Sequence, residues 1–348
     1  MTAAEETAAV GVTPTPREQA RPLLRALGLN IVYEPSRGPV IWSVRDVSLE
    51  LAEGEIAGLV GESGCGKSTL GYALTRMLRP PARLGSGTIW FGGEDVTLLE
   101  GEALRRRRRG GFALVPQSGM NALNPVRTVQ AHFADVLRGH GRAGRRAIGG
   151  TEVRRRASSL LDQVHLPAAT LRRYPHELSG GMRQRVAIAL ALSLSPRVII
   201  FDEPTTALDV IVQDAVMQTI RELQRDIGFT ALIISHDLGL VLEATDRVLV
   251  MYAGRIVEDQ PSVSMLTGVR HPYTQALLRC YADPRADEVH VEGIPGAPPD
   301  LSAVPPGCPF APRCPLREHL CDERDPGLIP LGHGSVACHV AHRKAHPR

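Results

Sequence analysis

Gly61-Glu62-Ser63-Gly64-Cys65-Gly66-Lys67-Ser68-Thr69 decides the reading of this chain, because its spacing is that of a loop built to cradle phosphate. Glycines at 61, 64 and 66 let backbone N–H groups turn inward around a polyphosphate, and the helix opening behind them offers its positive end. Of 40 basic side chains 38 are arginine, yet a lysine, Lys67, closes this loop. A compact ammonium on a thin stem enters a slot between β- and γ-phosphates that is narrow for a planar guanidinium. Upstream, Glu55 to Val60 is a short apolar run of the kind a parallel strand buried on both faces requires. Strand, glycine loop and helix in that order imply an α/β fold and a nucleoside-triphosphate site lined by Gly61, Glu62, Ser63, Gly64, Cys65, Gly66, Lys67, Ser68 and Thr69.

Working outward, strand-like stretches at Leu27 to Tyr33 and Val44 to Leu51 precede the loop. The helix behind it should run from Lys67 to Leu78, stopped by Pro80-Pro81. Two further buried-strand runs, Arg197 to Phe201 and Thr230 to Ser235, bracket a helix over about Val210 to Asp226. Ligands of open α/β sheets bind beyond the carboxyl ends of the strands, which is where Asp202-Glu203 and His236 emerge. Asp202 is placed to hold Mg²⁺ beside the Ser68 hydroxyl, and Glu203 to act as the general base on the attacking water. A donor at His236 would reach the γ-phosphate.

Between these motifs, Leu178-Ser179-Gly180-Gly181-Met182-Arg183-Gln184-Arg185 opens another helix. Ser179 reads as its N-cap, and the two glycines leave backbone amides open to an anion. One nucleotide has little use for a second such cradle in the same subunit.

The bulk numbers exclude more than they assign. A net charge of +3 over 348 residues is too mild to argue for nucleic acid. The arginine runs, Arg105 to Arg109 and Arg138 to Arg156, lack interleaved aromatics and read as solvated faces or as contacts to anionic lipid headgroups or a membrane partner, so no nucleic-acid partner is expected. No apolar run approaches a membrane span, and the N-terminus does not read as a signal peptide. Residues 1–22, with Thr13-Pro14-Thr15-Pro16, read as a disordered tail.

The phosphate loop, Gln117 of Val115-Pro116-Gln117, the Leu178 to Gln184 stretch, Asp202-Glu203, Ala207-Leu208-Asp209 and His236 occur in the order of the ATP-binding cassette family, which the chain resembles from about Leu27 to Gly268. The resemblance implies a P-loop NTPase core with a parallel sheet, an antiparallel β subdomain and an α-helical signature subdomain over about 121–180. It implies two cassettes packed head to tail, each ATP lying between the phosphate loop of one and the Ser179-Gly180-Gly181 turn of the other, with Gln184 in the same motif. Tyr33 matches the aromatic that stacks on adenine, Gln117 would join the metal site to a transmembrane partner, and Asp209 would line the contact between cassettes.

Within the family the chain is similar to ATPase subunits of peptide permeases. Met120-Asn121-Ala122-Leu123-Asn124-Pro125 and His271-Pro272-Tyr273-Thr274-Gln275-Ala276-Leu277-Leu278 carry that likeness, the latter opening a loop-rich C-terminal extension over 269–348. It implies ATP and Mg²⁺, a second and non-identical ATPase subunit, two transmembrane permease subunits, an extracytoplasmic binding protein, and a peripheral place on the cytoplasmic face of the membrane. Nickel or a sugar in place of peptide, or a soluble cassette acting on nucleic acid or ribosomes, are the other readings; a single cassette with about sixty residues between Gln117 and Ser179 favours transport.

Cys308, Cys314, Cys321 and Cys338 crowd the extension without a tight C-x-x-C pair. By spacing alone they suit metal ligation, a disulfide or unliganded thiols; the permease likeness points to a four-iron, four-sulfur cluster on these four residues.

Overall fold

The computed structural model describes residues 22–117, 123–139, 148–280, 293–303 and 305–345. Residues 1–21 of the expected tail, the Met120 to Ala122 part of the permease motif and much of the arginine-rich stretch between 140 and 147 lie outside them, while Pro22, counted with that tail, opens the first strand.

The first strands form a four-stranded antiparallel sheet in the order β2-β1-β4-β5, from β1 (Pro22–Tyr33), β2 (Ile41–Ala52), β4 (Ala82–Phe91) and β5 (Glu94–Asp95). Its inner face is apolar at alternate positions, with Leu24, Ala26, Leu29 and Ile31 of β1 buried against Leu49 and Leu51 of β2.

The second sheet has eight strands, ordered β11-β12-β10-β9-β3-β8-β7-β6. Five of these, β3 (Ile56–Val60), β6 (Phe112–Val115), β7 (Val198–Asp202), β8 (Thr230–Ser235) and β9 (Arg247–Tyr252), run parallel, with β6 at the edge. β3, β7, β8 and β9 are buried along their whole length, which is why they read as unbroken apolar runs. Parallel pairing brings the ends of β3, β7 and β8 to one edge, because Val60 is level with Ser235 and Asp202 with Ile234.

The helix after the phosphate loop, α1 (Lys67–Leu74), is shorter than the sequence suggests. Thr75 folds its hydroxyl back onto the Gly71 carbonyl at 3.1 Å, and Arg76 takes a left-handed φ of 57° that carries its Nε to the Val96 carbonyl. The prolines therefore meet a helix that has already ended. Beyond it α2 (Gly101–Arg108) carries part of the arginine run; Arg105 and Arg109 face Glu102 in exposed pairs worth little to stability.

Three helices, α3 (Val129–Gly139), α4 (Gly150–Gln163) and α5 (Gly180–Leu192), pack Phe133, Val153, Leu161 and Val186 together as a helical subdomain. α6 (Val210–Ile227) and α7 (Leu238–Ala244) follow β7 and β8 respectively.

The chain beyond β9 is more ordered than its composition suggests. β10 (Arg255–Pro261) turns back antiparallel on β9, and α8 (Ser262–Thr267) and α9 (Pro272–Arg279) follow. After α10 (His319–Glu323), the short strands β11 (Ile329–Leu331) and β12 (Gly334–Val336) continue the same sheet past β10, and α11 (His339–Ala345) closes the described chain. Among the described residues no helix is long and apolar enough to cross a membrane.

Candidate functional site

The phosphate loop is held in shape by glycines that could be nothing else. A Cβ on Gly61 would lie 2.1 Å from the Met251 carbonyl oxygen, and one on Gly66 2.1 Å from that of Ser43; both residues have positive φ. Lys67 is buried, its Nζ donating to the carbonyls of Gly61 at 2.7 Å and Glu62 at 3.0 Å, across the mouth of the loop. The loop borders a cavity of about 400 Å³ whose lining includes Tyr33, Ser63, Lys67, Ser68, Gln117 and Glu203.

Tyr33 reaches the cavity from β1, its hydroxyl 3.0 Å from Thr69 Oγ1, with the Ser43 hydroxyl 3.1 Å from the same atom. Ser43 was not legible beforehand; it comes from the antiparallel sheet and is joined to the loop only by folding.

At the strand ends Ser68 Oγ donates to Asp202 Oδ1 at 2.8 Å. Burial, with the neighbouring Glu203 charge, holds Asp202 above the usual carboxylate range, while the Ser68 hydrogen bond opposes it. A divalent cation between these oxygens would reverse that cost, so the donor set suits a hard cation such as Mg²⁺. Glu203, level with the next strand, has a left-handed φ of 49° and donates its backbone N–H to the Ile234 carbonyl. Its Oε2 accepts from Gln117 Nε2 at 2.6 Å and from Thr206 Oγ1 at 2.8 Å, and His236 Nδ1 lies 3.6 Å away. Glu203 and His236, expected from two strand ends, and Gln117, expected from the family motif order, are thus brought together around one carboxylate. Thr206 joins them unannounced, since a threonine three residues past a strand end is commonplace in sequence.

The second cradle lies elsewhere on the surface. Ser179 is exposed and caps α5, accepting from the Met182 N–H at 3.3 Å. Gly181 has a reason beyond amide exposure: a Cβ there would lie 2.6 Å from Val212 Cγ1, so its absence lets α5 meet the first turn of α6. Gln184 departs from expectation. It is 3% exposed inside the helical subdomain with its Nε2 unpartnered, so it does not share the open face of Ser179. Asp209 is exposed and caps α6 through the Val212 N–H at 3.0 Å; beside it Val210 and Ile211 are about four-fifths exposed.

The four extension cysteines come together, lining one small pocket with His271 and Phe310. None is disulfide-bonded. Burial first, and then the neighbouring thiols, push Cys308 up to about 11. Yet among the described residues no three His, Cys, Asp or Glu side chains are disposed to hold a metal ion, so the expected cluster finds no support in this arrangement.

The chain matches the ABC transporter family over residues 44–206 and the C-terminal region of oligopeptide/dipeptide transporters over residues 257–321. It is 39% identical over 320 residues to the dipeptide transport ATP-binding protein DppD of Caldanaerobacter subterraneus subsp. tengcongensis, covering 91% of this chain and 97% of that one. With DppD of Bacillus subtilis it shares 39% identity over 293 residues, or 83% and 86% of the two chains. Among solved structures, the dimeric ABC transporter cassette MJ0796 superposes with a TM-score of 0.61 at 27% identity, over 69% of this chain and 98% of that one. A second structure of that cassette, dimeric with ADP and Pi, gives the same values.

Proposed function

The chain belongs to the ATPase subunits of ATP-binding cassette transporters, and from that membership we propose that it drives peptide import as one half of a pair of cassettes that close on ATP. It is an ATP-hydrolysing subunit of a peptide importer. The reading of its site rests on one observation above all: two donors, Gln117 and Thr206, converge on Glu203 Oε2, with His236 Nδ1 3.6 Å away, at the edge of a cavity that Lys67 also lines.

In this reading the amides of Gly61 to Thr69 and the Lys67 ammonium bind the β- and γ-phosphates, and Tyr33 packs against the base. Ser68 and Asp202, with Gln117, would hold Mg²⁺, which when bound neutralises phosphate charge. Glu203 takes the proton of the attacking water; Gln117 and His236 fix the carboxylate and sense the γ-phosphate. Ser179, Gly180 and Gly181 serve the nucleotide of the other cassette, whose contact includes Asp209 and the exposed Val210 and Ile211. An apolar pair open to solvent beside a capping aspartate is what such an interface would cover. The other cassette is a similar but non-identical subunit. Two transmembrane permease subunits and an extracytoplasmic binding protein complete the machine, placing this chain peripherally on the cytoplasmic face of the membrane.

Cys308, Cys314, Cys321 and Cys338 would hold a four-iron, four-sulfur cluster, which would cross-link the extension where no disulfide does. Isolation of the intact complex from membranes, followed by assay of the solutes that raise its ATP turnover, tests the proposal. Stimulation by di- or oligopeptides with co-isolated permease subunits is expected; stimulation only by nickel or sugars, or no membrane companions, would overturn it.

A further inference from the structure

The phosphate loop is held from outside by the C-terminal extension, and the hold falls on a single residue, Glu62. Its backbone N–H donates to the Tyr273 hydroxyl at 2.9 Å, and its carbonyl accepts from Lys67. Its carboxylate takes both arms of Arg313, at 2.8 and 2.9 Å. Such a fork is the strongest ion-pair geometry that side chains offer.

Arg313 is placed with care. Its side chain is 5% exposed, against 21% for Glu62. All five guanidinium N–H groups have partners: two on Glu62, one on the Tyr252 hydroxyl, and two on the carbonyls of Ile294 and Pro295. The planar group also lies over the rings of Tyr252 and Phe310, at 5.8 and 5.9 Å. A residue so fully satisfied on the extension side presents a fixed charge to the loop.

That charge alters the electrostatics of the nucleotide site. From Gly61 to Thr69 the loop holds one acid, Glu62, and one base, Lys67, so by itself it is neutral. Asp202 and Glu203 add two more acids nearby, and Lys67 is the only basic residue among the described residues lining the cavity. Without Arg313, a polyphosphate arriving there would meet more negative charge than positive. We propose that Arg313 is a positioning residue for ATP binding: held by the extension, it cancels the Glu62 carboxylate and so leaves Lys67 free to act on the phosphates. This rests on the reading of Gly61 to Thr69 as the ATP-binding loop.

Equilibrium binding of Mg-ATP to the full-length chain tests it, with Lys67→Ala as the control for the loop itself. Arg313→Ala should weaken binding roughly tenfold at low salt, and by a smaller factor at high salt, where exposed phosphate charge is screened. Arg313→Lys should recover to within about threefold of the wild type, because the charge remains although the fork is lost. Adding Glu62→Gln to Arg313→Ala should restore most of the affinity, since the uncancelled acid is gone. Glu62→Gln alone, isosteric and still bonded to Arg313, should bind more tightly than the wild type; it reads the same charge without relying on the fold of the Arg313→Ala chain. Wild-type affinity in Arg313→Ala, no rescue in the double variant, or weaker binding in Glu62→Gln would each overturn the proposal. Failure of the loop reading looks different: the wild type would bind no better than Lys67→Ala.

Discussion

Glu203 occupies a backbone conformation that a non-glycine residue adopts at a cost of about 1–3 kcal/mol, and the surrounding structure holds it there. The conformation turns its carboxylate toward Gln117, Thr206 and His236, away from the course of β7. Glu203→Gln keeps the shape and the donor contacts but removes the base, so ATP binding should persist while steady-state turnover falls by about 10²–10⁴-fold. Near-normal hydrolysis in that variant would remove Glu203 from the reaction. Gly181 makes a second residue-scale case. Gly181→Ala would press a methyl group against Val212 Cγ1 at 2.6 Å, lowering stability by about 1–3 kcal/mol as read from the urea midpoint, and Val212→Ala in the same chain should recover most of it. The residues that sequence could name are those fixed by backbone geometry, such as the loop glycines and the acids at a strand end. Thr206, Ser43 and Arg313 could not be named, because each reaches the site by tertiary placement and belongs to no spacing rule. Gln184 sits in a legible motif, yet its place on the buried face of α5 depends on how that helix packs.

At the scale of elements, continuous apolar runs were reliable guides to β3, β7 and β8 because those strands are buried on both faces. β9 carries the same kind of run, Arg247 to Tyr252, and was legible by the same rule though not picked out. β11 and β12 were not: three residues each are too few for periodicity, and they exist by pairing onto β10. The early end of α1 likewise needed Val96 and Leu99 to receive the Arg76 guanidinium. The extension therefore behaves as an added edge of the main sheet, and its cysteines line one pocket with its own His271 and Phe310. Anaerobically purified chain should be brown, with iron and sulfide in matching amounts. A colourless, iron-free preparation would leave the four thiols as packing groups.

The whole molecule carries two half-sites: a phosphate loop backed by carboxylates, and an exposed Ser179 turn whose helix meets the first turn of α6, where Asp209, Val210 and Ile211 are exposed. Within one chain the Ser179 turn is not among the residues lining the nucleotide cavity. The account therefore requires a second cassette, brought in when ATP bridges the halves and released when hydrolysis removes the γ-phosphate. Lys67→Ala should prevent that closure by weakening nucleotide binding, read as a loss of ATP-dependent association. The central claim is tested most directly by the structure of the assembled complex carrying Glu203→Gln and Mg-ATP. The account predicts the Ser179 hydroxyl and the Gly180-Gly181 amides within hydrogen-bond reach of the γ-phosphate held by the opposite subunit's loop; a nucleotide-filled complex with the Ser179 turn far from every γ-phosphate would contradict it.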